Sequence, residues 1–213
     1  MVIKAVVFDL FGTLVKCGSP EDHIIKVFGL RQDFYEVEKI SNTIDEPDDE
    51  KYAKKLLGKL GISTSKGNIG KMLKIFEAER SLLELFPDSI PTLEKLKGSG
   101  FKIGLISNSL PFLMGKFSEP KFLNLFDRFD CLILSEKVGV VKPDPKIFSI
   151  CLDKLGIKPA DALMVGDSLR NDVKGAEAFG MKALLLDRLS KQNFPSKILS
   201  LKEILNFVNN GRA

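Results

Sequence analysis

Asp9 stands at the end of the apolar run Val6-Val7-Phe8 and is followed at once by Leu10-Phe11-Gly12-Thr13. A carboxylate at the mouth of a buried strand faces a crevice. A glycine turn there offers backbone N–H groups to an anion. An Asp that merely caps the following turn is the plain alternative. Farther on, Ile106 leads into Ser107-Asn108-Ser109, whose small hydroxyl and amide groups can donate to anionic oxygens or simply fill a loop. Lys142 sits in Val141-Lys142-Pro143-Asp144-Pro145, where Asp144 and Pro145 suit a helix cap and first turn, and most lysines are solvated. The fourth segment, Gly166-Asp167-Ser168-Leu169-Arg170-Asn171-Asp172, puts two carboxylates in one short stretch. Hard oxygen ligands of this kind suit magnesium, although Asp172 could serve as a helix cap.

These residues need elements to hold them. Short apolar runs predict buried parallel strands over Ile3–Phe8, Lys102–Ile106, Cys131–Leu134, Leu163–Val165 and Ala183–Leu186. Helical patterns lie between them at Ile90–Lys97, Pro145–Leu155 and Val173–Phe179, the latter two stopped by Gly156 and Gly180. Alternation of this kind predicts an α/β fold with a doubly wound parallel sheet. Such sheets bind ligands at the carboxyl ends of their strands, which is where all four segments fall. From Lys16 to Phe86 the pattern is helical, with candidates at Asp22–Phe28, Asp33–Ile44, Asp48–Leu60 and Asn68–Leu83, and no convincing strand. Residues 1–15 and 87–213 therefore read as one core domain and 16–86 as a small helical insert. The stretch Lys197–Asn209 reads as a final amphipathic helix.

Composition narrows the classes. The 213 residues are 44% hydrophobic and 28% charged, ordinary for a globular protein. The 32 basic and 28 acidic residues leave a net charge of +4, spread along the chain, so no nucleic-acid-binding tail is expected. No apolar stretch approaches the length of a membrane span, and the N-terminus lacks the pattern of a signal peptide. Cys17, Cys131 and Cys151 fit neither a disulfide framework nor a zinc site, which leads to the expectation of reduced thiols in a cytoplasmic protein.

The order Asp9-x-x-Gly12-Thr13, Ser107-Asn108, Lys142-Pro143, Gly166-Asp167-Ser168-x-x-Asn171-Asp172 resembles the haloacid-dehalogenase superfamily. The resemblance runs from about residue 3 to 187, with the helical insert where that family places its first cap domain. It implies a Rossmann-like hydrolase with Asp9 as covalent nucleophile. It further implies that Lys142, Ser107, Asn108 and Thr13 hold substrate oxygens. Mg2+ would be held by Asp9, Asp167, Asp172 and the main-chain carbonyl of Phe11, and the substrate would be a small phosphate ester or acyl phosphate. One departure stands out. Phosphatases of the family carry an acid two residues after the nucleophile, and here that residue is Phe11, which cannot transfer a proton. A metal-independent 2-haloacid dehalogenase tolerates an aromatic residue there, because halide leaves without a proton. A low-turnover binding or regulatory module is the third reading. The two carboxylates of the fourth segment, which need a positive partner, favour phosphoryl transfer.

Overall fold

The computed structural model describes residues 2–122 and 124–209. Strand β1 (Ala5–Phe8) has every residue buried. Its alternate side chains go to different cores: Val6 and Phe8 to one face, Ala5 and Val7 to the other. A strand with two dry faces must lie inside a sheet covered on both sides, which explains why its sequence is continuously apolar. A ribbon follows, β2 (Val15–Lys16) paired antiparallel with β3 (Glu84–Leu85). Between those two strands run four helices: α1 (Pro20–Phe28), α2 (Phe34–Ser41), α3 (Asp49–Lys59) and α4 (Lys66–Ser81). Asp33, Asp48 and Ser65 begin the last three, each side chain accepting from a backbone N–H of the first turn.

The chain then enters α5 (Ser89–Gly98), β4 (Lys102–Ser107), the short α6 (Pro111–Met114), β5 (Cys131–Leu134) and the short α7 (Ser135–Val138). Next come α8 (Pro145–Leu155), β6 (Ala162–Gly166), a π-turn over Leu169–Lys174, α9 (Gly175–Ala178), β7 (Lys182–Leu186), β8 (Lys197–Ile198) and α10 (Ile204–Asn209). Six strands form one sheet in the order β5-β4-β1-β6-β7-β8, every neighbouring pair parallel. The fold is therefore the α/β, doubly wound type expected. With β1 central, the chain leaves to β4 on one side and β6 on the other, so a crevice opens at the carboxyl ends of these three strands.

The helical insert is not a separate core. Tyr52, Met72 and Phe76 from α3 and α4 belong to the same apolar cluster as Val6 and Phe8. Phe76 stacks on Phe112 of α6, with ring centroids 4.1 Å apart and planes 15° from parallel. Three expectations need correction. The region 16–86 contains strand after all, at Lys16 and at Glu84–Leu85, because a two-residue ribbon leaves no periodicity to read. Residues 197–209 are not one helix: Lys197–Ile198 adds an edge strand to β7 before the helix begins. The helix expected over Val173–Phe179 is there but begins earlier, as a π-helical stretch over Leu169–Lys174 that continues into α9. Among the described residues no helix is long and apolar enough to cross a membrane.

Candidate active site

Asp9 follows β1 directly, and its backbone N–H donates to the Val165 carbonyl of β6 at 3.0 Å. This ties the carboxylate to the crevice floor. Lys142, brought in by the loop before α8, points its ammonium into the same spot. The Nζ donates to Asp9 Oδ1 at 2.6 Å, to Asp172 Oδ1 at 2.7 Å and to the Ile106 carbonyl at 2.9 Å. All three of its protons are thus used, and Lys142 is buried, far from the solvated role of most lysines. Asp172 is fixed on its other oxygen by the Ser168 backbone N–H at 2.9 Å. Asp9 Oδ2 is buried without a hydrogen-bond partner.

Asp167 completes a cluster: one carboxylate oxygen each from Asp9, Asp167 and Asp172 lies within 4.8 Å of the others. Two glycines make room for it. A Cβ at Gly12, whose φ is +84°, would meet Asp167 Oδ2 at 2.1 Å, and one at Gly166 would meet Asp172 Oδ2 at 2.2 Å. Burial, reinforced by the neighbouring Asp172 and only partly offset by Lys142, pushes Asp9 up to about 6. Burial, with Asp9 and Asp172 beside it, holds Asp167 well above the ordinary carboxylate range. Burial alone would lower Lys142, but Asp172 and Asp9 outweigh it and raise its pKa. Three carboxylates therefore share one ammonium. Hard oxygens that close, with an orphaned acceptor among them, fit a small divalent cation such as magnesium.

The cluster opens on a cavity of about 240 Å³. Its wall includes Asp9, Phe11, Asn108, Lys142, Asp167 and Asp172 from the sheet side, and Glu21, Phe34, Tyr35 and Glu38 from the insert. Thr13 and Ser107 do not line it. Both are fully buried, with hydroxyls that have no hydrogen-bond partner. Asn108 is a brace: its Oδ1 accepts from the Lys142 backbone N–H at 2.7 Å and its Nδ2 donates to the Lys142 carbonyl at 3.2 Å. Phe11 lies against Phe117, with centroids 6.1 Å apart. Arg31 is exposed and away from the cavity, and His23 pairs with Glu79 at 3.0 Å.

Two wall residues gave no sequence signal. Glu38 on α2 accepts from Asn108 Nδ2 at 3.0 Å and from Asn171 Nδ2 at 3.0 and 3.2 Å. Beside it, the Arg170 guanidinium sits 3.5 Å from the Tyr35 ring centroid. Glu21, in the first turn of α1, is buried and accepts from Asn42 Nδ2 at 2.9 Å and Ser41 Oγ at 3.4 Å. In sequence each is one more acidic residue on a helix, since the partners lie up to 133 positions away.

A parallel six-stranded sheet with a carboxylate after its central strand, a buried lysine and an acidic loop after β6 defines a hydrolase class. The chain belongs to the haloacid dehalogenase-like hydrolase family, whose pattern matches residues 3–180. A "Glyceraldehyde 3-phosphate phosphatase" of Methanopyrus kandleri is 38% identical over 106 residues, which cover 50% of this chain and 45% of that protein. The chain thus spans about half the length of that curated relative in the match. A HAD phosphatase of Thermococcus onnurineus of known structure superposes with a TM-score of 0.66 at 27% identity, over 99% of this chain and 100% of its own. A 2-haloacid dehalogenase of Pseudomonas syringae superposes with a TM-score of 0.67 at 22% identity, covering all of both chains, which shows the shared fold.

Proposed function

We propose that the protein is a magnesium-dependent phosphatase acting on a small phosphorylated metabolite through a phosphoryl group carried on Asp9. The observation that carries this reading is the cluster of Asp9, Asp167 and Asp172 around one lysine. Three carboxylates and one ammonium leave an excess of negative charge that a divalent cation would balance. Asp9, Asp167 and Asp172, with the Phe11 main-chain carbonyl, would hold the magnesium, which when bound neutralises charge on the phosphoryl oxygens. Lys142 keeps Asp9 ionised and aimed. In the first half-reaction Asp9 attacks phosphorus and the leaving oxygen departs; in the second, water releases phosphate from Asp9. Asn108, which lines the cavity, would brace Lys142, whereas Thr13 and Ser107 are buried behind the wall and take no part in this reading. Residues 16–86 act as a cap that closes the cavity, whose modest volume suits a small ester or acyl phosphate. The phosphatase names of the Methanopyrus and Thermococcus relatives support the same reading.

The dehalogenase reading rests on Phe11, an aromatic residue in the cavity wall where an acid would otherwise stand. Among the described residues no arginine lines the cavity to take a carboxylate substrate, which weighs against it. One panel separates the readings. Hydrolysis of acetyl phosphate or an aryl phosphate, lost on chelation with EDTA and restored by magnesium, is the expected result. Chloride release from 2-chloropropionate that ignores EDTA would establish the dehalogenase instead. Silence in both assays would favour the binding module.

A further inference from the structure

The cavity wall contains a carboxyl group that the reaction above does not use. We propose that Glu21 is the general acid and base of the phosphatase reaction, taking the place of the acid missing at position 11. This rests on the phosphatase reading. Position 11 holds a phenyl ring packed on Phe117, so a side-chain acid for the leaving oxygen of an ester has to come from elsewhere in the cavity wall.

Of the other ionisable groups of that wall, Tyr35 is exposed, with its ring under the Arg170 guanidinium, and the rest are committed. Asp9, Asp167 and Asp172 form the carboxylate cluster, and Lys142 gives all its protons to Asp9, Asp172 and Ile106. Glu38 holds the amides of Asn108 and Asn171 with its two oxygens. Cys17 is pushed far up, by burial first and then by the charges of Asp167, Asp9 and Glu21, so its thiol is a poor proton donor at neutral pH. Cys17, Glu21 and the cluster carboxylates Asp9 and Asp167 line the same cavity.

Glu21 is oriented for the task. The chain passes from the Asp9 loop through β2 and Cys17-Gly18-Ser19 into α1, and Ser19, Pro20 and Glu21 at the start of that helix line the same cavity as Asp9. Asn42 and Ser41 both donate to Oε1, fixing the carboxyl plane and leaving Oε2 as the oxygen to carry a proton. Burial, opposed by the Asn42 hydrogen bond and reinforced by nearby Glu38, pushes this carboxyl up to about 7. An acid matched to neutral pH exchanges protons in both directions.

The steps balance. Asp9 bonds to phosphorus as the bond to the leaving oxygen breaks, and the Glu21 carboxyl proton moves to that oxygen. Water then attacks phosphorus, its proton goes to the Glu21 carboxylate, and the bond from Asp9 to phosphorus breaks. Glu21 ends as it began.

The test uses Glu21→Gln, which keeps the acceptor for Asn42 and Ser41, with phenyl phosphate and 4-nitrophenyl phosphate in the presence of magnesium. Phenolate is a poor leaving group and nitrophenolate a good one. The expected loss of phenyl phosphate turnover is about 10²- to 10⁴-fold. With 4-nitrophenyl phosphate the variant should still release one nitrophenolate per active site in a first burst, then stall before hydrolysis. Adding Phe11→Asp to Glu21→Gln should restore phenyl phosphate turnover. Phenyl phosphate turnover within about threefold of wild type in Glu21→Gln would overturn the assignment. So would loss of the burst in a folded variant, which would place Glu21 in binding. Absence of wild-type turnover of both esters would overturn this proposal, and absence of acetyl phosphate turnover as well would overturn the phosphatase reading itself.

Discussion

Lys142 Nζ lies 2.6 Å from Asp9 Oδ1, and the same ammonium is 2.7 Å from Asp172 Oδ1, so one cation from the β5–α8 connection joins the carboxylates after β1 and β6. All three side chains are buried. Removing the lysine would leave two close carboxylates without the cation between them. Lys142→Met should lower stability by on the order of 3 kcal/mol, read by denaturant titration, and abolish turnover. Adding Asp172→Asn to Lys142→Met should return part of that stability, because one of the stranded charges is gone. A Lys142→Met protein as stable as wild type would mean that the ammonium does not compensate these carboxylates.

Gly12 and Gly166 leave the space that Asp167 and Asp172 occupy. A methyl group at either position must displace a carboxylate, and Gly12 also holds a positive φ that alanine resists. If the cluster binds magnesium, the ion stabilises the folded state by mass action and raises the wild-type melting temperature. Gly12→Ala and Gly166→Ala should each lose most of that magnesium-dependent rise. Calorimetry with and without magnesium checks it, and an undiminished rise in both would contradict a metal site at the cluster.

Glu38 joins α2 to the motif loops through Asn108 and Asn171. Glu38→Ala removes three hydrogen bonds to one acidic side chain, leaving the Asn171 amide to find water and the Asn108 amide with the Lys142 carbonyl. Amide exchange in Phe34–Ser41 should speed up by roughly tenfold or more, while β1, β4 and β6 keep their protection. Uniform acceleration across the sheet would mean that Glu38 supports the whole fold and not the docking of one helix.

The raised Glu21 carboxyl makes a signed pH prediction. Its pKa rises from 4.5 unfolded to about 7 folded, chiefly through burial, with Glu38 of α2 as the charged neighbour and Asn42 and Ser41 as hydrogen-bond donors. Between those values the folded state holds a proton that the unfolded state has lost. Stability therefore falls as pH rises through that window, by on the order of 3 kcal/mol for this group. Asp9 adds a slope of the same sign, so the informative quantity is the difference between wild type and Glu21→Gln. The variant should gain on wild type between pH 5 and pH 8, measured by urea midpoints. A constant difference across that range would show that Glu21 stays ionised throughout.

Much of the architecture was legible because the physics that sets it is local. β1 reads as buried because Ala5, Val6, Val7 and Phe8 each face a core, on alternating sides. The limits of α8 are written in Asp144, which caps it, and Gly156, which ends it at φ 63°. Strands β2, β3 and β8 were not legible, since two residues each carry no period and exist only through their partners. Within the site, the sequence pointed to Asp9, Lys142, Asp167 and Asp172 because each follows or precedes a recognisable element. It did not point to Glu21 and Glu38. Their roles depend on how α1 and α2 settle over the crevice, which is decided by contacts such as Glu38 to Asn171 across 133 residues.

The central claim is that Asp9 carries a phosphoryl group in a magnesium-dependent reaction. The direct measurement is mass spectrometry of the peptide containing Asp9 after acid quench of the protein with acetyl phosphate. The account predicts a phosphoryl adduct on Asp9 that needs magnesium, disappears with EDTA and is absent from Asp9→Asn. No adduct with acetyl phosphate, together with an Asp9 ester formed from 2-chloropropionate in the presence of EDTA, would contradict it.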